Sequence, residues 1–355
     1  MIDHLHLDFS KHVVLSGTGN FDLASRIIKR VNEMGQQPIG RGLSPGPISF
    51  DDYPDGEPAF GIVDFEELKN RRLILFQSME SEKLVTQFLQ LCFSASRQYG
   101  VSGITAVVPF LRYRRQDHPE IREEIDRNRF IIDNLASNGV DELILCEPHS
   151  DQTLKNCKRA KLKLWVADPS HAFAEKLRLR VTIAGLMKRK FFVYVPDEGA
   201  IPRGLLLAKD LGVKIAFTPK VRLMGDMVRM STSDKKLFRK ITEKYGAENF
   251  VPLTALRGQV CCIYDDELST AGTAITTGKF LLHQAGVAEL YYCATHPVCA
   301  PGWKAKMIGK SSPFSLIMLG DTLERDYEKS TNGRIIRVSM SPTIAEVLYL
   351  AMLKH

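Results

Sequence analysis

Short apolar runs alternate with longer amphipathic segments along almost the whole chain of 355 residues. Each run is about as long as a strand that is buried on both faces of a sheet. The clearest runs cover residues 12–16, 72–77, 104–109, 142–146, 191–196, 214–217, 260–264 and 290–295. Segments 21–34, 84–98, 127–138, 201–211 and 272–284 carry apolar residues every three or four positions, as helices packed on a sheet do. The alternation predicts α/β architecture with mostly parallel sheets.

The alternation runs twice along the chain. The first set fills about 165 residues, the second begins near Phe191, and Asp168-Pro169 is a plausible crossover. Since domains commonly hold about 100–200 residues, two domains are expected. We predict two similar doubly wound domains, residues 1–166 and 167–339, each with a mostly parallel central sheet.

Two further segments lie outside the alternating pattern. Residues 340–355 are predicted to form a helix that packs back on the first domain, because Ile344, Val347, Leu348 and Ala351 make one apolar stripe. The polar and charged segment 231–249 is predicted to be a helical or mobile insertion.

The charge, the cysteines and the apolar runs exclude several classes of function. The 48 basic residues exceed the 41 acidic ones only mildly, and no basic block with interleaved aromatics occurs, so we expect no nucleic-acid partner. No apolar run approaches the ~18 residues of a membrane span. The seven cysteines include no C-x-x-C pair, so we expect free thiols and no zinc site. The first residues lack a signal-peptide pattern, and a cytoplasmic location is expected.

The most informative segment covers residues 260–275. An apolar strand leads into Asp265-Asp266, and a turn of small residues, 269–273, then opens a helix. Backbone N–H groups at a helix start are unpaired and favour an anion such as a phosphate. The paired carboxylates suit ribose hydroxyls or a Mg²⁺ ion. A strand-to-helix turn with an ordinary Ser/Thr cap is the simpler alternative, and the two adjacent Asp residues argue against it.

Polar side chains follow several other strands, and each also has a simple structural interpretation. Arg115 and Gln116 fit adenine edges and triphosphate oxygens, or belong to a solvated loop. His149 and Asp197 are metal ligands, or they are structural groups at strand ends. We expect these two to lie at equivalent places in the two domains, which favours a shared Mg²⁺–ATP site.

The loop at Asp265, Asp266, Ser269, Thr270, Ala271, Gly272 and Thr273 resembles the phosphoribosyl-pyrophosphate loop of phosphoribosyltransferases and ribose-phosphate pyrophosphokinases. Other motifs occur in the order of the pyrophosphokinase family and span nearly the whole chain. They are Tyr53 with Asp55-Gly56-Glu57, Arg112-Tyr113-Arg114-Arg115-Gln116-Asp117, Glu147-Pro148-His149-Ser150-Asp151-Gln152, Pro196-Asp197-Glu198-Gly199-Ala200-Ile201-Pro202-Arg203, Lys220-Val221-Arg222 and Thr295-His296-Pro297-Val298. The chain is therefore identified as a divergent member of that family.

The resemblance implies phosphoribosyltransferase-type domains and ATP-dependent, Mg²⁺-dependent pyrophosphate transfer to ribose 5-phosphate. It also implies a homo-oligomer, dimer or hexamer, because a neighbouring subunit completes the nucleotide site in this family. The implied roles are as follows: catalysis by Lys220 and Arg222; ATP binding by Tyr53, Asp55, Glu57, Arg115, Gln116, Asp117 and His149; metal binding by His149 and Asp197; ribose 5-phosphate binding by Asp265, Asp266 and residues 269–273.

Three departures from the family pattern leave alternatives open. Ser269 stands where the family usually has Asp, the basic continuation expected at 118–122 is absent, and the stretch from Arg222 to Asp265 is long. The alternatives are a diphosphotransferase for another sugar phosphate, a non-catalytic regulatory homologue and a phosphoribosyltransferase.

Overall fold

The chain divides into two compact units in a computed structural model. The model describes residues 7–37, 42–46, 48–55, 57–62, 64–117, 124–183, 189–218, 220–222, 228–230 and 235–355. Unit 1 comprises Met1–Asp168, Thr322–Glu324 and Met340–His355, and unit 2 comprises Pro169–Asp321 and Arg325–Ser339. The chain thus passes from one unit to the other between Asp168 and Pro169.

Unit 1 is built on a six-stranded parallel sheet with the order β2-β1-β5-β6-β7-β8. Strands β3 and β4 form a separate antiparallel hairpin. The strands are β1 (His12–Ser16), β2 (Pro45–Gly46), β3 (Ile48–Asp52), β4 (Pro58–Ile62), β5 (Arg72–Phe76), β6 (Gly103–Val108), β7 (Val140–Cys146) and β8 (Lys163–Ala167). The helices are α1 (Phe21–Met34), α2 (Glu82–Arg97), α3 (Arg127–Ser137) and α4 (Asp151–Arg159), joined by α11 (Ser341–Met352) from the end of the chain.

Unit 2 contains a second six-stranded parallel sheet, with the order β10-β9-β13-β14-β15-β16. The short strands β11 and β12 pair antiparallel. The strands are β9 (Phe191–Val195), β10 (Ile215–Phe217), β11 (Lys220–Arg222), β12 (Val228–Met230), β13 (Val260–Glu267), β14 (Glu289–His296), β15 (Leu316–Gly320) and β16 (Ile335–Val338). The helices are α5 (Ser170–Ile183), α6 (Ile201–Leu211), α7 (Lys235–Tyr245), α8 (Gly272–His283), α9 (Trp303–Ile308) and α10 (Tyr327–Ser330).

The two sheets have the same topology. When the sheet strands of each unit are numbered in chain order, both sheets run 2-1-3-4-5-6. Each unit also carries a two-stranded antiparallel hairpin between its second and third sheet strands. The prediction of two similar, mostly parallel doubly wound domains is confirmed.

Apolar burial explains why the alternating sequence folds in this way. Each of the eight predicted runs overlaps a strand of one of the two six-stranded sheets. The central strand β5 is buried along its whole length. Each unit contains an apolar cluster made of buried residues of its sheet and of the helices packed on it. All seven cysteines are free thiols, as expected. The described part of the insertion contains helix α7, whereas residues 231–234 lie outside the described residues.

Helix α11 closes unit 1 although it comes from the other end of the chain. Its buried side chains include Ile344, Leu348 and Ala351, three of the four residues of the predicted stripe, while Val347 is partly exposed. The helix packs on α1 and on strands β7 and β8. Thr343 anchors its first turn by donating a hydrogen bond to the Asp168 carbonyl oxygen at 2.7 Å. In the part of the chain that the structure describes, no helix is long and apolar enough to cross a membrane.

A buried ionic cluster ties the strands of unit 1 together around Glu142, which is only 3% exposed. Lys163 Nζ lies 2.5 Å from Glu142 Oε1, and Arg72 Nη2 lies 3.8 Å from Glu142 Oε2. His355 Nε2 approaches the same carboxylate at 3.4 Å. Burial alone would raise the pKa of Glu142, but the hydrogen bond from Lys163 and the nearby cations outweigh burial. The pKa of Glu142 is therefore below its ordinary value.

We expect Glu142→Gln to destabilise unit 1 by about 2 kcal/mol near neutral pH, because it removes a buried carboxylate that pairs with the largely buried Arg72 and the partly exposed Lys163. Urea unfolding at several pH values tests this. An Asp or Glu with a depressed folded-state pKa stabilises above its unfolded pKa of about 4.3, and this contribution is lost as the pH falls through the folded-state value. The gap between wild type and Glu142→Gln should therefore narrow in acid.

Glu346→Ala, on the exposed face of α11, is the matched control. It should change the free energy of unfolding by no more than about 0.5 kcal/mol. Equal effects of the two substitutions, or a gap that does not depend on pH, would contradict the role assigned to the cluster.

Candidate functional site

The sheet topology of unit 2 predicts where a ligand binds. From β9 the chain moves to β10 on one side and then returns to β13 on the other, so the strand order reverses between β9 and β13. Ligands of doubly wound sheets bind beyond the carboxyl ends of the strands at such a switch point. Asp197 follows the end of β9, while Asp265 and Asp266 lie at the end of β13. The structure thus brings these three predicted site residues to one edge of one sheet.

The two adjacent carboxylates at the end of β13 are in different situations. Asp266 is buried, and its Oδ1 lies 3.0 Å from Arg203 Nη1 in the first turn of α6. Asp265 Oδ1 accepts a hydrogen bond from the Asp266 backbone N–H at 3.0 Å. Burial and the neighbouring Asp266 charge raise the pKa of Asp265 well above its ordinary value. Asp197 adds to this effect and Arg203 opposes it. The edge therefore concentrates negative charge that hydroxyl donors or a cation would relieve.

The turn after β13 leaves the start of helix α8 open to an anion. Ala271 is the N-cap residue with φ +65°, and it provides no side-chain cap. The first bond of the helix runs from Ile275 N–H to the Ala271 carbonyl oxygen at 3.0 Å. The N–H groups of residues 272–274 thus precede the regular helical hydrogen bonds. Ser269 is partly exposed and Thr270 is exposed, so their hydroxyls lie at the surface. This arrangement is suited to binding a phosphate group.

Lys306 adds a positive charge beside the same turn. Its ammonium group, on α9, donates a hydrogen bond to the Thr270 carbonyl oxygen at 2.9 Å. An ammonium group has three donors, so this bond leaves capacity for an anion. The small-residue turn is thus flanked by a helix N-terminus and a lysine.

The basic motif Lys220-Val221-Arg222 forms strand β11 and pairs with β12, with Lys220 opposite Met230 and Arg222 opposite Val228. The hairpin follows β10, whose sheet partner is β9. The backbone of both residues is described, whereas residues 223–227 beyond them lie outside the described residues.

In unit 1, the residues predicted to bind the nucleotide follow the neighbouring strands β6 and β7. Arg115 and Gln116 are exposed, and the Gln116 carbonyl oxygen accepts a hydrogen bond from Asn128 N–H at 3.1 Å. Asp117 is buried, and its carboxylate accepts a hydrogen bond from Ser150 Oγ. Ser150 is also the N-cap of α4, with its hydroxyl 3.1 Å from Gln152 N. Asp117 therefore links the segment after β6 to the start of α4.

His149 lies next to Ser150 and is partly exposed at the same edge. Its preceding strand, β7, is the fifth sheet strand of unit 1, whereas Asp197 follows β9, the first sheet strand of unit 2. The expectation that His149 and Asp197 occupy equivalent places is therefore wrong.

Tyr53, Asp55 and Glu57 form the tip of the β3–β4 hairpin. Tyr53 N–H donates to the Glu57 carbonyl oxygen at 2.8 Å, and Glu57 N–H donates to Asp55 Oδ1 at 3.0 Å. The Tyr53 residue is 58% exposed. The tip thus has internal hydrogen bonds and still presents a ring and two carboxylates to the surroundings. Residue 56 between them, and the departing segment 118–122, lie outside the described residues.

The oxygen donors at the unit 2 edge have the chemistry that Mg²⁺ prefers. Among the described residues, no three His, Cys, Asp or Glu side chains form a metal-binding group. Mg²⁺ in nucleotide sites commonly uses only one or two carboxylates together with phosphate oxygens, so such a group is not required. The exposed Asp197, close enough to Asp265 to raise its pKa, fits that arrangement. The imidazole of His149 is a less usual Mg²⁺ ligand.

Known proteins align with this chain over most of its length. The family model for the N-terminal domain of ribose phosphate pyrophosphokinase matches residues 12–139. A ribose-phosphate pyrophosphokinase of Mycoplasma pneumoniae is 27% identical over 296 residues, which are 82% of this chain and 76% of the relative. One of Rhodopirellula baltica is 24% identical over 345 residues, which are 94% of this chain and 93% of the relative. This chain is thus similar to ribose-phosphate pyrophosphokinases over most of its length, at identities below 30%.

The fold agrees with this assignment. The crystal structure of phosphoribosylpyrophosphate synthetase from Mycobacterium smegmatis superposes with a TM-score of 0.75. The match covers 97% of this chain and 99% of the other chain, at 18% sequence identity. Both units therefore have the phosphoribosyltransferase-type fold that the resemblance predicted.

Sequence analysis did not include two cations among the site residues of this pyrophosphokinase relative. Arg203 was visible only as the last residue of the motif beginning at Pro196, and its partner Asp266 lies on a different strand-loop-helix segment. Lys306 belongs to no motif, and only its distance to Thr270 identifies it. An alternation pattern carries no information on such contacts.

We expect Lys306→Met to weaken binding of inorganic phosphate roughly fivefold, because an anion at the start of α8 loses a nearby charge worth about 1 kcal/mol. Isothermal titration calorimetry measures this directly. Lys304→Met, on the same helix and also exposed, is the matched control and should leave the affinity unchanged. Equal weakening in both variants would show that only net charge matters and would contradict a local role for Lys306.

Proposed function

We propose that this chain transfers pyrophosphate from ATP to the anomeric hydroxyl of ribose 5-phosphate, giving 5-phosphoribosyl 1-pyrophosphate and AMP. One observation carries the proposal: a pair of carboxylates and a helix start without a side-chain cap meet at the switch point of unit 2. Carboxylates that can accept hydrogen bonds from sugar hydroxyls, followed by a turn that can bind a phosphate, suit a phosphorylated sugar. The relatives named ribose-phosphate pyrophosphokinase, aligned over most of the chain, support the same substrate class.

The sugar phosphate is held by two parts of the unit 2 edge. The backbone N–H groups at Gly272 and Thr273, with the hydroxyls of Ser269 and Thr270, bind the 5-phosphate. The carboxylates before the turn accept hydrogen bonds from the ribose hydroxyls. This orientation leaves the anomeric oxygen to attack the β-phosphorus of ATP. A new oxygen–phosphorus bond forms as the bond from that phosphorus to the AMP oxygen breaks, and the hydroxyl proton passes to solvent.

The nucleotide is bound by residues of unit 1. The exposed Arg115 and Gln116 contact the adenine and the phosphates, and Asp117 orients the neighbouring segment through Ser150. The hairpin tip carrying Tyr53, Asp55 and Glu57 reaches the nucleotide of a neighbouring subunit, so the active form is a homo-oligomer, either a dimer or a hexamer. The internal hydrogen bonds and exposure of that tip support a role in contacting another molecule.

Positive charge stabilises the transferred group. Lys220 and Arg222, alternate residues of strand β11, provide cations where negative charge builds on the bridging and transferred oxygens. A Mg²⁺ ion held by Asp197 would neutralise the ATP phosphates and orient them, and His149 is a further ligand that the family resemblance implies. The protein residues around it exclude water and align the two substrates.

Ser269 supports a second candidate, a diphosphotransferase that acts on a different sugar phosphate. The family usually has a carboxylate at this position, which helps to hold the ribose. A hydroxyl has a donor and carries no charge, so it alters the set of sugar hydroxyls that the turn accommodates.

One assay separates the candidates: the full chain is incubated with ATP, Mg²⁺ and a panel of sugar phosphates, and AMP is measured. AMP that forms with ribose 5-phosphate supports the main proposal. AMP that forms only with another sugar supports the second candidate. A chain that releases no AMP with any sugar is a non-catalytic homologue, and consumption of phosphoribosyl pyrophosphate would indicate a phosphoribosyltransferase.

We expect Lys220→Ala to lower the rate of AMP release at least about a hundredfold, because it removes a cation that acts mainly in the transition state. Steady-state kinetics should show the loss in kcat more than in KM. Lys236→Ala, at an exposed position of the nearby helix α7, serves as the control for general loss of charge. A nearly unchanged rate in Lys220→Ala would refute the catalytic assignment.

A further inference from the structure

Arg203 contacts the pair of carboxylates at the end of β13, although it does not belong to the loop that follows this strand. It lies in the first turn of α6, and its Nη1 is 3.0 Å from Asp266 Oδ1. The two side chains are 13% and 6% exposed, so water screens the pair only weakly. Both residues sit at the switch point where the proposed sugar site lies.

The packing of α6 explains why Arg203 reaches the end of β13. Gly204 follows Arg203 directly, and a Cβ atom at Gly204 would lie 2.3 Å from Val195 Cγ1. The helix is therefore pressed against the end of β9, the strand beside β13. A side chain at position 204 would push the first turn of α6 outward, away from Asp266.

The ion pair lies among several carboxylates, and their repulsion affects how the candidate site can hold a ligand. Two adjacent carboxylates repel each other, and a third, Asp197, is near enough to add to the repulsion. Arg203 offsets this repulsion and holds Asp266 from one side. Asp265 is instead held by the backbone N–H of Asp266. The orientation of both carboxylates thus depends on the position of Asp266, which its ion pair with Arg203 helps to fix.

We propose that Arg203 is a positioning residue for the sugar site, acting through its ion pair with Asp266 to orient the two carboxylates that receive the ribose hydroxyls. The inference rests on the proposed function, since it names ribose 5-phosphate as the ligand of these carboxylates. Arg203 does not itself touch the sugar. Its removal weakens sugar binding and leaves ATP binding nearly unchanged.

The test is a double-mutant cycle of Arg203→Gln, Asp266→Asn and the double variant. Binding of ribose 5-phosphate is measured by calorimetry, and KM for ribose 5-phosphate and for ATP by AMP release. Arg203→Gln should weaken ribose 5-phosphate binding about tenfold, with less than a twofold change in KM for ATP, as loss of a charge-assisted contact implies. In the Asp266→Asn background the same substitution should have less than a twofold effect.

Two further variants separate positioning from general folding effects. Relative to Arg203→Gln, Arg203→Lys should recover part of the affinity, because the ammonium group keeps the positive charge but lacks the planar fork of donors that guanidinium offers. Lys209→Gln removes an exposed cation from the far end of the same helix and should change neither constant. The double variant lacks both charges of the buried pair, so it remains informative even where Arg203→Gln alone folds poorly.

The outcomes distinguish this inference from the proposed function. Full additivity in the cycle, or equal losses for ribose 5-phosphate and ATP, would overturn the role of Arg203. Wild-type protein that binds ribose 5-phosphate with the predicted cycle but releases no AMP would overturn the proposed function and leave the inference standing. Wild-type protein that fails to bind ribose 5-phosphate would overturn both.

Discussion

The parallel pairing of β9 with β13 is the constraint on which the candidate site depends. Parallel strands end at the same edge of a sheet, so the residues that follow them meet there whatever their separation along the chain. The reversal of strand order between these two strands also keeps their connections apart and opens a crevice. The pairing brings Asp197 beside Asp265 and the turn at 269–273, which already adjoin each other in the sequence. A change that displaced the end of β9 would move Asp197 away from Asp265 and from this turn.

The two units share a topology, yet the equivalent crevice of unit 1 is filled by its own side chains. There, Gly19 N–H donates to Gln77 Oε1 at 3.0 Å, and a Cβ atom at Gly17 would lie 2.1 Å from the same oxygen. Helix α2, the counterpart of α8, has its first turn capped by Ser81. In unit 2, the carboxylate pair takes the place of Gln77, and Ala271, which provides no side-chain cap, takes the place of Ser81. The sugar-phosphate site is therefore proposed for unit 2 only, because in unit 1 the Gln77 side chain and the Ser81 cap lie where a ligand would bind.

Burial explains only part of what the apolar runs revealed, because strand β15 (Leu316–Gly320) is buried at four of its five residues and was still missed. Strand β5 is buried throughout and was found from sequence, whereas the edge strand β8 (Lys163–Ala167) is largely accessible and has no uniform apolar pattern. The two hairpins are short and polar, so their tips were recognised by resemblance and not by periodicity. Apolar runs do not show which strands are neighbours in a sheet. The runs therefore could not test whether His149 and Asp197 follow equivalent strands of the two units. The turn at Ser269 was found because its chemistry is local and contiguous.

The ion pair of Arg203 with Asp266 could not be found from sequence because it depends on how closely α6 approaches β9. Its energetics also bear on its role. Desolvating two charges costs about as much as their attraction returns, so a buried ion pair is a weak source of stability. An apolar pair of similar volume would stabilise unit 2 equally well but could not hold a carboxylate in a fixed orientation. Glu142 illustrates the contrast, since its cluster connects strands β5, β7 and β8 of unit 1 with the end of the chain. The pair of Arg203 with Asp266 instead lies at the switch point of unit 2, next to the candidate site.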